Sequence, residues 1–185
     1  PWPRPPTSAL DEIDHAVIAE LPDNAVGTQP TGVWATTRAD ALLRLDHFVD
    51  NLLPMFGPHE DAMVSDNWHL AHSMLSPYLN NGLLLPSEVC DAVQRAFDAG
   101  RVPIASAEGF IRQVIGWREY VWGLYWLWMP DYAQMNELGA TRALPPVFTD
   151  PSSTQMACMA GCVSDVHERA WAHHIPRLMV MGNLA

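Results

Sequence analysis

The chain contains no lysine: all of its ten basic side chains are arginine, set against 21 Asp and Glu. A formal charge of −11 excludes a protein that grips nucleic acid over its whole surface, because phosphate binding needs clustered cations. It leaves room for a local arginine patch. Cysteine is scarce. Cys90, Cys158 and Cys162 are odd in number and unevenly spaced, so they form no disulfide framework, and a reducing cytoplasm is the expected setting. No run approaches the ~20 uncharged apolar residues of a membrane span. The opening Pro1-Trp2-Pro3-Arg4-Pro5-Pro6 carries no initiator Met, signal peptide or transit pattern and reads as cut from something longer. Strand-like alternation of polar and apolar residues is missing too, which excludes a sheet-based fold.

What remains is a globular helical chain. Its 185 residues amount to about one domain, and 49% apolar content rules out disorder throughout. Residues 1–7 read as a tail or linker, 8–33 as a connecting helix and loop, and 34–185 as the folded unit. A short helix is expected over Asp11–Leu21, with Ile13, Val17 and Ile18 on one face and Pro22 as its stop. Thr37 followed three residues later by Asp40 is a capping-box variant. It introduces Leu42, Leu45, Phe48, Val49 and Leu52 at helical spacing, with Pro54 and Gly57 expected to end that helix. Ser76-Pro77 opens one turn that closes at Asn81-Gly82. Pro86 begins a helix with Val89, Val93, Ala96 and Phe97 as its apolar stripe, ended by Gly100. Ser106 to Trp128 is apolar around most of its circumference, so the pattern predicts a buried helix. Thr154 to Arg169 and His173 to Met181 complete an all-α reading, with Pro176 tolerated only near the first turn of the last helix.

Several side-chain groups could carry chemistry. His173 and His174 are adjacent, and on a helix neighbours point roughly 100° apart, so each would meet a different partner; an ordinary pair of partly buried histidines is the plainer reading. Cys158 and Cys162, four apart on one face, could be half a metal or iron–sulfur site, although small buried cysteines are commoner. Trp117, Trp122, Trp126, Trp128 and Trp171, with Tyr120 and Tyr125, suggest either core packing or an aromatic-lined pocket. Arg112 and Arg118 lie in so apolar a helix that a carboxylate or phosphate should partner them. Ser73 and Ser76 put hydroxyls and backbone N–H groups at a helix start, which suits an anion as well as a simple cap.

Four blocks, in order, resemble the cryptochrome/photolyase family, in particular its bacterial branch of iron–sulfur (6-4) photolyases. They are Phe56-Gly57-Pro58-His59-Glu60-Asp61-Ala62-Met63 with His72-Ser73-Met74-Leu75-Ser76-Pro77-Tyr78-Leu79-Asn80-Asn81-Gly82; Glu108-Gly109-Phe110-Ile111-Arg112-Gln113-Val114-Ile115-Gly116-Trp117-Arg118-Glu119-Tyr120; Met156-Ala157-Cys158; and Ala172-His173-His174-Ile175-Pro176-Arg177 with Gly182-Asn183. The resemblance runs from about Trp34 to the end. It implies the N-terminal part of a helical FAD-binding domain, with the antenna half and the later part of the helical domain outside this stretch. It further implies light-driven repair of (6-4) pyrimidine photoproducts in damaged DNA, by electron transfer from reduced FAD.

On that resemblance His72, Ser73, Leu75, Ser76, Gln113, Trp117, Arg118 and Arg177 bind FAD, and His173 and His174 face the lesion. His173 is expected to carry the catalytic proton, with His174 in support. Cys158 matches one ligand of a [4Fe–4S] cluster whose other three are expected beyond residue 185. The chain departs from the family pattern at His59-Glu60, where Tyr-Gln is usual; at Pro176, where Gln is usual; and at Phe148-Thr149-Asp150, where a Trp is often found. Rival readings are a photoreceptor cryptochrome without repair, a helical metal-binding bundle using the cysteines and histidines, and a helical interaction domain. Residues 1–185 alone are expected to bind flavin poorly and to leave the apolar surface around Trp117–Trp128 uncovered.

Overall fold

A computed structural model describes residues 2–185. Its regular elements are helical, and the one strand-type contact among the described residues is an isolated bridge between Val64 and Asn67. No described helix is long and apolar enough to cross a membrane. The fold is all-α.

Helix α1 (Glu12–Ala19) begins at Asp11, whose carboxylate accepts the N–H groups of Ile13 and Asp14 while the Asp14 side chain returns the bond to Asp11. Its apolar face is poorly covered: Ile13 and Val17 are exposed and Ile18 is half-buried. The connecting segment is tied down elsewhere. The buried Arg44 guanidinium donates to Gly32 O, Val33 O and Ser8 Oγ, and Thr28 donates twice to Glu168 O.

Helix α2 (Arg38–His47) starts at Thr37 as expected, with the Asp40 N–H donating to its hydroxyl. Pro54 and Gly57 do not end it, contrary to the sequence reading. The chain passes through a π-helical turn, Phe48–Leu52, into α3 (Leu53–His59), which places Pro54 in a first turn where no N–H is missed. Gly57 instead permits close contact. A Cβ there would come within 3.0 Å of backbone atoms of Ala105 and Ser106, and the Gly57 N–H donates to Ser106 Oγ at 2.9 Å. Helix α4 (Ser76–Asn80) and α5 (Pro86–Asp98) keep their expected bounds, and Val89, Val93 and Ala96 are fully buried.

Helix α6 (Ile104–Ile111), a π-helical segment Arg112–Trp117 and α7 (Arg118–Trp128) form the long helix read between Ser106 and Trp128. Only its first half is buried. Phe110 packs with Phe48 and Phe56 at centroid distances of 4.6 and 5.4 Å, while α7 buries no residue, and Trp117, Trp122 and Trp126 are 59–67% exposed. A run apolar on all sides carries no label for which side is covered, so sequence alone over-assigned burial here. Arg112 and Arg118 are accordingly not core arginines: Arg112 pairs with Glu108 on the surface, and Arg118 donates to Asn80.

Helix α8 (Ala157–Arg169) ends at Ala170 in a left-handed conformation. A π-helical segment Ile175–Met181 and α9 (Gly182–Leu184) follow, with Pro176 in the first turn as expected. Trp171 joins Trp34 and Trp68 at 5.4–6.2 Å separations, apart from the tryptophans of α7.

Candidate functional site

Two segments bring three histidines together. The loop between α3 and α4 supplies His72, and the stretch after α8 supplies His173 and His174. Left-handed backbone at a non-glycine residue is uncommon and collects at functional sites. Among the described residues it occurs at Leu70, Met74 and Ala170, which flank these histidines. Asn67 supports the first loop by accepting the N–H groups of His69 and Leu70.

His72 and His173 stack, with ring centroids 3.8 Å apart and planes 20° from parallel, and His174 lies 5.6 Å from His72. His173 and His174 meet different partners, His173 stacking on His72 and His174 pairing with Asp61, although His173 precedes the helix. Non-helical backbone there lets both rings approach His72. His72 is buried, with Nδ1 3.0 Å from His69 O and Nε2 3.0 Å from Glu60 O. A neutral imidazole has one N–H, so it can donate to only one of these carbonyls. The two carbonyls favour a protonated ring, but burial outweighs them and, with His174 and His69, holds His72 below the ordinary histidine range. Burial, followed by His72 and His174, pushes His173 down to about 3. Its Nδ1 accepts the Ile175 N–H at 3.4 Å, which leaves the proton of the neutral ring on Nε2. His174 is half-exposed and pairs through Nε2 with the Asp61 carboxylate at 3.1 Å.

The ligand nitrogens of these three rings lie within 4.8 Å of one another, a spacing that suits a metal. Their orientation does not. A lone pair lies in its ring plane, so two stacked rings cannot aim at one point, and both His72 nitrogens already face carbonyls.

Gln113 sits in the π-helical segment and donates to Glu60 Oε1 at 2.5 Å and to Gly109 O at 3.2 Å. Ser73 is half-buried and accepts the Leu75 N–H at 3.3 Å. Ser76 is exposed and Leu75 buried. The Arg118–Asn80 bond of 3.3 Å ties α7 to the α4 turn that Ser76 opens. Trp117 is exposed and meets Tyr120 edge-on, and Arg177 donates back to Ala172 O. Cys158 is exposed, whereas Cys162 is buried with its thiol pushed up by desolvation, Asp165 and Cys158. Four apart on one helix, the two cysteines nevertheless occupy opposite environments. Asp61 and His69 drew no notice in the sequence, and Glu60 did so only as a departure from the family pattern, yet all three contact the histidines. The available signal was the unusual Glu60 in an otherwise matching block.

No family model matches the chain. Over 99% of its length it is 46% identical to a (6-4) photolyase of Agrobacterium fabrum (strain C58 / ATCC 33970), of which it spans 36%. Over 68 residues it is 41% identical to the uncharacterized protein R853 of Acanthamoeba polyphaga mimivirus, covering 36% of this chain and 52% of that one. The similarity to the (6-4) photolyase along nearly the whole of this chain, which spans about a third of that relative's length, defines the class, and the all-α fold is consistent with it. The chain belongs to the photolyase/cryptochrome family.

Proposed function

We propose that this chain is part of the FAD-binding, lesion-facing domain of a light-driven DNA repair enzyme acting on (6-4) pyrimidine photoproducts. The observation that carries the reading is the His72–His173–His174 cluster, within a chain 46% identical over 99% of its length to a protein named as a (6-4) photolyase. The donor set fits a flavin dinucleotide. Ser73 and Ser76 flank a turn linked through Asn80 to the Arg118 guanidinium, a suitable neighbour for phosphate. Gln113 and the exposed Trp117 offer a polar atom and an aromatic face to a planar ring system. Electron transfer to the lesion under blue light is the chemistry that reduced FAD supplies when bound.

The chain's own contribution is proton control and positioning. Cleaving the lesion needs a proton at the departing group, and a usable donor must hold one at working pH. Burial holds His173 near 3, which speaks against it as the group that delivers the proton. His174, half-exposed and paired through Nε2 with the Asp61 carboxylate, is the imidazole placed to pass a proton to the lesion, and His173 stacks on the neighbouring His72. A [4Fe–4S] cluster needs about four cysteine ligands. Cys158 is the one exposed thiol on α8, Cys162 is buried and Cys90 lies on α5, so these residues do not fit a cluster by themselves and no step passes through one.

A photoreceptor that binds flavin without repair is the second reading, favoured by the −11 charge. The separating experiment takes a full-length protein carrying this stretch, reduced FAD and an oligonucleotide with one (6-4) lesion. Blue-light-dependent restoration of the bases supports repair; bound, photoreducible flavin with no restoration supports the photoreceptor.

A further inference from the structure

One acidic dipeptide at the end of α3 touches three of the candidate site side chains. The main-chain oxygen of Glu60 faces His72 Nε2 at 3.0 Å, its carboxylate accepts from Gln113 Nε2 at 2.5 Å, and the adjoining Asp61 carboxylate pairs with His174. Glycine at position 109 leaves room for the Glu60 carboxylate. A Cβ on Gly109 would stand 3.0 Å from Glu60 Oε2.

The amide of Gln113 is thereby polarised in one direction. Its nitrogen lies between two oxygens, Glu60 Oε1 and Gly109 O. A main-chain carbonyl can only accept, so turning the amide over would set oxygen against oxygen at Gly109. Both N–H groups are spent on protein, and among the described residues no hydrogen bond reaches Oε1. We propose that Glu60 is a positioning residue that locks the Gln113 amide with Oε1 outward, so that the site offers an acceptor there and selects a ligand presenting an N–H donor. This deepens the reading above, in which Gln113 lines the flavin, and rests on it for the identity of the ligand. The lock itself is a property of this chain.

The surroundings of Glu60 make the lock responsive to pH. Burial foremost, then Asp61, and further Glu108, raise its carboxyl above the ordinary range, while Arg112 and His174 oppose them. Gln113 is the neutral group in direct contact.

The test uses ¹⁵N-labelled residues 1–185 and needs no ligand. Gln113 side-chain amide protons should exchange with water roughly tenfold more slowly than those of the exposed Gln134 and Gln155, and their resonances should follow the titration of Glu60. Glu60→Gln keeps an acceptor, so it should preserve slow exchange and abolish the pH dependence. Glu60→Met removes the acceptor and should abolish both. Wild-type Gln113 exchanging like the two reference glutamines, or a signal indifferent to pH, overturns the proposal without recourse to any variant. Slow, titrating Gln113 protons here, with a full-length protein that neither binds flavin nor repairs DNA, would support the lock and refute the function proposed above, so the two can fail separately.

Discussion

His72 and His173 stack with their ring centroids 3.8 Å apart, and both are held in the neutral form by the burial that brings them together. A second positive charge in that stack would be repelled and desolvated at once, so the pair stores acid sensitivity. The unfolded chain protonates its histidines near pH 6.5, whereas folded His173 waits until about 3. Stability is unaffected by this group above 6.5 and falls as pH drops below it, at up to ~1.4 kcal/mol per pH unit for one withheld proton. Glu60 and Asp165, whose carboxyls burial raises, work in the opposite direction at lower pH. Urea unfolding of wild type and His173→Phe between pH 7 and 5 isolates the histidine. The wild type should lose more stability over that interval; parallel pH profiles for the two proteins would contradict the buried neutral pair.

Gly57→Ala should destabilise the fold by ~1–3 kcal/mol, because the new methyl meets backbone at 3.0 Å on a rigid helix neighbour. Chemical denaturation measures this directly. An unchanged midpoint would mean that α3 and α6 can separate without cost.

The exposed face of α7 should drive association. Trp117, Trp122 and Trp126 are each more than half exposed, and contiguous apolar surface of this kind is rare on stable monomers. Sedimentation velocity on residues 1–185 should show mass rising with concentration, and Trp122→Glu together with Trp126→Glu should suppress it. A wild-type monomer at every concentration would show that the face is compatible with solution by itself.

Arg118→Ala in a full-length protein should release flavin, and Arg118→Lys should weaken it as well, since a point charge does not replace a planar fork. Flavin absorbance after gel filtration reads the result. Full occupancy in both variants would remove Arg118 from the cofactor site.

Much of the fold was legible because its punctuation is local. Asp11, Thr37, Pro86 and Gly100 act within a turn of where they sit, and the helices they bound are present. Pro54 was misleading for the same reason: a local rule could not foresee a π-helical turn that resets the register just before it. Burial of α7 was beyond reach, because its composition is apolar on every side and contacts alone decide exposure. At the site, the histidines and Gln113 stood out by type and order. Glu60 and Asp61 did not, since their role comes from α3 passing close to Gly109 and to the last segment, a tertiary fact with no periodicity to announce it. The low proton affinity of His173 has the same origin.

The central claim is that this cluster repairs DNA with His174 as the proton carrier and His173 neutral beside it. Its most direct measurement is the blue-light repair rate of a (6-4)-lesion oligonucleotide by the full-length protein and its His174→Ala variant, with flavin absorbance recorded in both. The account predicts repair by the wild type and a loss of ~100-fold or more in the variant at equal flavin content. Flavin-loaded wild type that leaves the lesion intact, or a variant that repairs at the wild-type rate, would contradict it.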